Sequence, residues 1–281
     1  MKRTILACAV MALSGMAWAA EVLPENGLKA EMDGRWEDAA GVYEKVLNGQ
    51  PGRVDLWERL GDIRSRLNQH NLAVKALEQA ASLSPENAVL WLKLSRARAV
   101  AGDGKGAFEA AGLALEQDPD NIEALRARAE LATWVDERKA AAEAHRKILA
   151  KLPDDAASRL GLARLAAWNG QTDAAVSDYK AYLAQKPEDK AAWMELIKTE
   201  GWRGNYPDAL DELEQYRQRF GEDRPYHEQQ ARALAWQGKT MPAIEIVNQL
   251  LAETPEDVDA LSTRATVSYT HLAGDSQMTL P

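Results

Sequence analysis

Proline returns at a fixed interval along most of this chain. Pro51, Pro85, Pro119, Pro153, Pro187 and Pro255 lie on one 34-residue clock, and Gly221 occupies the single slot without proline. Alanine keeps the same period at Ala39, Ala73, Ala107, Ala141, Ala175, Ala209 and Ala243. A period of this length restricts the chain to a repeat architecture. In such an array each unit touches only its neighbours, so 281 residues need not divide into separate globular domains.

One period can be read from Leu162 to Asp189. An apolar helical run ends at Trp168, Asn169-Gly170 makes a tight turn, a second helical run follows, and Pro187-Glu188-Asp189 connects to the next unit. We call the two runs helix A and helix B. With the recurring proline set at position 32, the repeats begin at Ala20, Val54, Ala88, Ile122, Ala156, Lys190 and Arg224. An eighth begins at Val258 and loses the pattern by Val267.

Elementary packing accounts for the pattern. Small residues at positions 8 and 20 let two antiparallel helices approach to about 8–10 Å. Large apolar residues at positions 4, 7, 24 and 27 are expected between consecutive repeats, so that none can bury its apolar side alone. Asn87, Asn121, Asp155, Asp189, Asp223 and Asp257 stand where a side-chain oxygen can cap the next helix A. The proline that precedes every one of these caps but Asp223 cannot continue helix B. Gly34, Gly102, Gly170, Gly204 and Gly238 are placed to close helix A in a left-handed turn. Ala111 and His145 replace the large apolar residue at position 24 and predict looser packing in the third and fourth repeats.

Position 4 is Trp57, Trp91 and Trp193, position 7 is Leu60, Leu94, Leu162 and Leu196, and position 24 is Tyr43, Leu77, Tyr179 and Leu213. With the alanine and proline series, these residues make the chain resemble the tetratricopeptide repeat (TPR) family over residues 20–265. The resemblance implies an all-α TPR solenoid, a right-handed superhelix of antiparallel helix pairs. About seven repeats plus a partial eighth are expected, with 266–281 an irregular or non-native tail.

Residues 1–19 read as a secretory signal peptide. Lys2 and Arg3 precede a short apolar core, and Ala17-Trp18-Ala19 supplies the small residues a signal peptidase requires. The apolar run is short for a membrane span, and no later stretch reaches roughly 20 apolar residues. A periplasmic location with no membrane span in the mature chain is the expectation. Outer-membrane association would follow if the chain is part of a larger barrel-containing protein. The single cysteine, Cys8, falls inside the signal, so disulfides and thiol chemistry are not expected in the mature chain. The net charge of −9 argues against nucleic acid, whose binding rests on phosphate neutralisation.

No catalytic constellation stands out, and no enzyme activity, metal or cofactor is expected. His70, His145, His227 and His271 lie in different repeats without ligand spacing. No nucleophile-elbow, P-loop or zinc-protease motif occurs. What exceeds a generic repeat is a tryptophan ladder: Trp134, Trp168, Trp202 and Trp236 all fall at position 13. In TPR solenoids, helices A line the concave surface, and the resemblance implies that position 13 tends to face it. Arg96, Arg164, Lys198 and Arg232 hold position 9 beside them. Two readings of the ladder stand. The indoles either pack between neighbouring helices A, or form a stacking track for an extended ligand with the basic row gripping its carboxylates or hydroxyls.

Leu234-Ala235-Trp236-Gln237-Gly238, in an array with an export signal, further resembles the periplasmic TPR region of bacterial exopolysaccharide export proteins for cellulose or poly-N-acetylglucosamine. This resemblance implies a non-catalytic scaffold binding protein partners in the cell envelope, in biofilm polysaccharide synthesis or export. The alternative is a groove that guides the polysaccharide over stacked indoles. The clamp with which cytosolic TPR proteins hold chaperone C-termini has no counterpart here, since position 9 offers Arg or Lys where that clamp needs Asn.

Overall fold

The computed structural model describes residues 23–265. The expected signal peptide and irregular tail lie outside the described residues. Every regular element among those described is an α-helix. The described residues divide into two compact bodies, 23–137 and 138–265, with the boundary falling in the fourth repeat between its helices A and B.

The N-terminal body holds α1 (Glu25–Met32), α2 (Trp36–Gly49), α3 (Val54–Arg66), α4 (His70–Leu83), α5 (Ala88–Val100), α6 (Gly104–Gln117) and α7 (Ile122–Trp134). The C-terminal body holds α8 (Arg138–Lys151), α9 (Ala156–Trp168), α10 (Thr172–Gln185), α11 (Lys190–Arg203), α12 (Tyr206–Phe220), α13 (Arg224–Trp236) and α14 (Thr240–Glu253). Residues 258–265 begin one more helix. Within each body, every helix packs on the next in sequence, and helices A also touch the following helix A, as α5 does α7 and α11 does α13. Each body is therefore a stack of helical hairpins in the predicted repeat order.

The periodic alanines explain how the hairpins close. All seven, from Ala39 to Ala243, are fully buried. The large apolar positions follow: Tyr43, Leu77, Tyr179, Leu213 and Val247 at position 24 are buried, as are Leu60, Leu94 and Leu196 at position 7. Each such side chain contributes about 1.5–3 kcal/mol on burial. In the fourth repeat, His145 takes the position-24 place and lies against Gly161 of the next helix A, where a side chain would collide with the imidazole. In the third, Arg128 fills the room left by Ala111 and Gly112, its guanidinium 4.1 Å from the Phe108 ring and donating to the Phe108 carbonyl. Larger neighbours thus stand beside the small residues Gly112 and Gly161.

All six cap residues act as predicted. Asn87, Asn121, Asp155, Asp189, Asp223 and Asp257 each accept a backbone N–H from the first turn of the following helix. The turn at position 15 is left-handed at all five predicted glycines, and Asn68 (φ 56°) and Asp136 (φ 60°) adopt it in the remaining repeats. Asn and Asp tolerate this conformation better than other side chains, which is why glycine is dispensable there. Helix B ends two residues before its proline: α4 stops at Leu83, Ser84 caps it, and Pro85 enters the turn. That proline has a second use. Its carbonyl accepts the position-4 indole N–H, from Trp57 to Pro51, Trp91 to Pro85 and Trp193 to Pro187, at 2.7–3.0 Å. Arg159, an apparent exception at position 4, makes the same bond to Pro153 at 2.8 Å.

Candidate functional site: the position-13 indoles and the helix-A face

The ladder stands in the open. Trp134, Trp168 and Trp202 are 59%, 70% and 68% exposed. Burying a large apolar side chain is favourable, so three indoles left in water at one repeat position are not core residues. Trp236 differs, being half-buried against the core of the C-terminal body.

One contact recurs along the ladder. Position 13 at the end of helix A reaches back to position 17, the first residue of helix B in the preceding repeat. Trp134 lies against Gly104. Trp168 lies under the guanidinium of Arg138, 4.0 Å from the ring centroid. Trp236 stacks on Tyr206 with centroids 5.2 Å apart and planes at 19°. The second repeat inverts the pair, with Arg66 at position 13 set 5.0 Å over the ring of Trp36 at position 17. The residue one repeat back from Trp202 in this register is Thr172, and Trp202 has neither an aromatic nor a cationic partner among the described residues. With Trp168 it is one of the two open rungs of the ladder in the C-terminal body.

The basic row is largely engaged. Arg96 donates to Glu123 at 2.7 Å, and Arg164 grips Glu195 through two bonds of 2.9 Å. Arg232 lies 3.5 Å from Asp259 and donates to Thr263. Each acid or hydroxyl belongs to the next helix A, so these cations lace successive repeats together. The carboxylate of Glu195 holds the Arg164 guanidinium even further above its ordinary range. Only Lys198 has no ion pair among the described residues. The expected free row of ligand-gripping cations is thus mostly a set of inter-repeat ties, a role legible only once register shows which acids stand opposite.

In the N-terminal body, the faces of α5 and α7 enclose a groove of about 300 Å³. Arg96, Glu123, Arg126, Glu130 and Trp134 line it. Here one predicted arginine and one predicted tryptophan do come together on a single helix-A surface. The groove offers charges of both signs, an apolar floor at Ala99, Ala127 and Leu131, and an aromatic wall. That combination suits an extended segment with mixed side chains.

Among the described residues, no group of three or more His, Cys, Asp or Glu could hold a metal ion, and no helix is long and apolar enough to cross a membrane.

Comparison with known proteins agrees with this architecture. Tetratricopeptide repeat family models match residues 54–87 and 169–232. A peroxisomal targeting signal receptor of Pichia angusta is 35% identical over 66 residues, covering 23% of this chain and 12% of that protein. Among solved structures, YrrB, described as a TPR protein with an unusual peptide-binding site, aligns with a TM-score of 0.57 and 18% identity, over 67% of this chain and 97% of its own. PilW, described as a type IV pilus biogenesis factor, aligns with a TM-score of 0.54 and 22% identity, over 74% of this chain and 97% of its own. At such identities the structures share the fold alone. The chain carries tetratricopeptide repeats and is an all-α TPR solenoid protein, as its period predicts.

Proposed function

We propose that this chain of tetratricopeptide repeats is a non-catalytic, exported scaffold that holds protein partners of the cell envelope on its helix-A faces, in the service of exopolysaccharide synthesis or export. The observation that carries the binding reading is the exposure of Trp134, Trp168 and Trp202 at one repeat position. Rigid aromatic side chains at the surface are the usual anchors of protein recognition. A peptide-binding site is named for one structural relative and a targeting-signal receptor is a sequence relative, and both descriptions are in keeping with it. Export rests on Lys2, Arg3 and the Ala17-Trp18-Ala19 site, and the polysaccharide context on the Leu-Ala-Trp-x-Gly stretch ending at Gly238.

The test is a selection of displayed peptides on the parent protein, followed by affinity measurement on Trp134→Ala and Trp202→Ala. Selected peptides should lose about tenfold or more in affinity on one of these variants, as for an anchoring residue. Peptides that bind both variants as they bind the parent would reject the helix-A face. Export is checked by N-terminal sequencing of the protein from a periplasmic extract, which should begin at Ala20.

A second reading has its own support. The open rings of Trp168 and Trp202 are flat apolar faces of the kind on which sugar rings stack. Titration with cello-oligosaccharides and poly-N-acetylglucosamine oligomers should then change the tryptophan emission of the parent and not of a Trp168→Ala, Trp202→Ala double variant. An unchanged emission removes the glycan-guiding reading and leaves the protein scaffold.

A further inference from the structure

Position 23 of the repeat belongs to the inner side of helix B. Ala76, Ala110 and Ala144 fill it and are buried, Val42 and Ile246 keep it apolar, and the fifth repeat sets a half-buried Asp178 there. In the sixth repeat the same place holds Glu212, whose side chain is only 5% exposed. The repeat itself does not call for a carboxylate there. A second departure lies beside it. In the second and third repeats position 11 is a cation tied to an acid at position 25 of the preceding repeat, as Arg64 to Glu44 and Arg98 to Glu78. Between the fifth and sixth repeats the signs are exchanged: the acid is Glu200, fully buried, and the cation is Lys180.

Lys180 Nζ stands 3.4 Å from Oε1 of Glu200 and 2.8 Å from Oε1 of Glu212. Arg203 adds a contact of 3.3 Å to the other oxygen of Glu200. Glu212 is left short. Its ion pair is not aligned as a hydrogen bond, and Oε2 meets no donor. A buried acceptor without a donor is costly, and in a native fold it calls for a reason.

That carboxylate lines a cleft of about 500 Å³ on the helix-B side, between α10 and α12. Leu183, Pro187, Trp193 and Leu196 supply apolar walls, and Lys180 and Arg219 also border it. We propose that this cleft receives a tyrosine side chain of a partner protein, the ring against Trp193 and the hydroxyl donating to Oε2 of Glu212. Charge selects this occupant. Lys180 and Arg219 disfavour a third cation, while Glu212 and Glu200 disfavour an anion. A neutral donor on a flat apolar body satisfies both. The chain itself uses the same bond three times: Tyr43 donates to Glu31, Tyr182 to Asp189 at 2.7 Å and Tyr216 to Asp223 at 2.8 Å. The cleft lies between helices B and shares no residue with the helix-A groove, so the proposal and the one above fail separately.

The experiment is a titration of the isotopically labelled full chain by NMR at about pH 8.5, where the Glu212 carboxyl has lost its proton, with N-acetyl-L-tyrosinamide and N-acetyl-L-phenylalaninamide as probes. The tyrosine probe should shift the Trp193 indole resonance and bind about tenfold more tightly than the phenylalanine probe, the size expected for one hydrogen bond to a charged acceptor. In Glu212→Leu the two probes should become equal. In that variant Lys180 keeps its contact with Glu200 and remains half exposed, so the chain is expected to fold, and the comparison of probes on the parent needs no variant. Equal affinities on the parent, no shift with either probe, or tighter binding of n-butylamine would overturn the assignment.

Discussion

Arg138 and Trp168 face each other across adjacent repeats, the guanidinium carbon 4.0 Å from the ring centroid. The pair is one instance of the contact that joins position 13 to position 17 of the repeat before, and Arg66 over Trp36 is its mirror image. The chemistry changes from rung to rung while the register does not. Cation–π attraction at an exposed site is worth about 0.5–1 kcal/mol. Arg138→Ala should therefore lower the unfolding free energy by about that amount in urea. It should also raise acrylamide quenching of Trp168, because one ring face is uncovered. Unaltered quenching would mean that the guanidinium does not shield the ring in solution.

Gly201 decides between two opposed effects. Replacing a helix-interior glycine by alanine normally stabilises by up to about 1 kcal/mol. At this position an added Cβ would run into the Trp236 indole. Overpacking of this kind costs about 1–3 kcal/mol, so the net effect of Gly201→Ala should be a loss. Trp236→Ala in the same chain should turn Gly201→Ala from a loss into a gain. Thermal unfolding of the four proteins in this cycle measures both signs.

Glu212 makes stability depend on pH. Burial above all pushes its carboxyl up to about 7; Lys180 opposes the rise, and Glu200 and Asp208 add to it. A carboxyl with a folded-state pKa above its unfolded value of 4.5 holds an extra proton when folded. Its contribution is fully present below about 4.5 and is lost as the pH rises through about 7. Glu212→Gln should remove on the order of 1–3 kcal/mol of that decline. Unfolding free energies of parent and variant between pH 4.5 and 7.5 should converge at the acid end, and parallel curves would contradict the assignment.

Much of this architecture was legible in residue order because the period itself carries the packing. The alanine at position 20 and the cap after each proline act in every repeat where they were expected, from Ala39 to Ala243 and from Asn87 to Asp257. Arg159 was harder to read. Its likeness to Trp57 lies in a shared N–H donor and a shared proline carbonyl, not in size or polarity. The exposure of the ladder could not be settled from spacing, since an indole at the end of helix A can turn inward, as Trp236 does, or outward, as Trp202 does. What decides is the partner one repeat back: Tyr206 draws Trp236 into a stack, while Thr172 offers Trp202 no ring. The ties of Arg96 and Arg164 were hidden for a related reason, because a charge opposite is visible only after the repeats are set in register.

Trp202→Ala is the most direct test of the view that the exposed indoles of position 13, Trp134, Trp168 and Trp202, stand outside the core. With the ring 68% exposed, truncation should change the urea unfolding free energy by less than about 1 kcal/mol. A loss of about 3–5 kcal/mol, as for a tryptophan removed from a packed interior, would contradict the account.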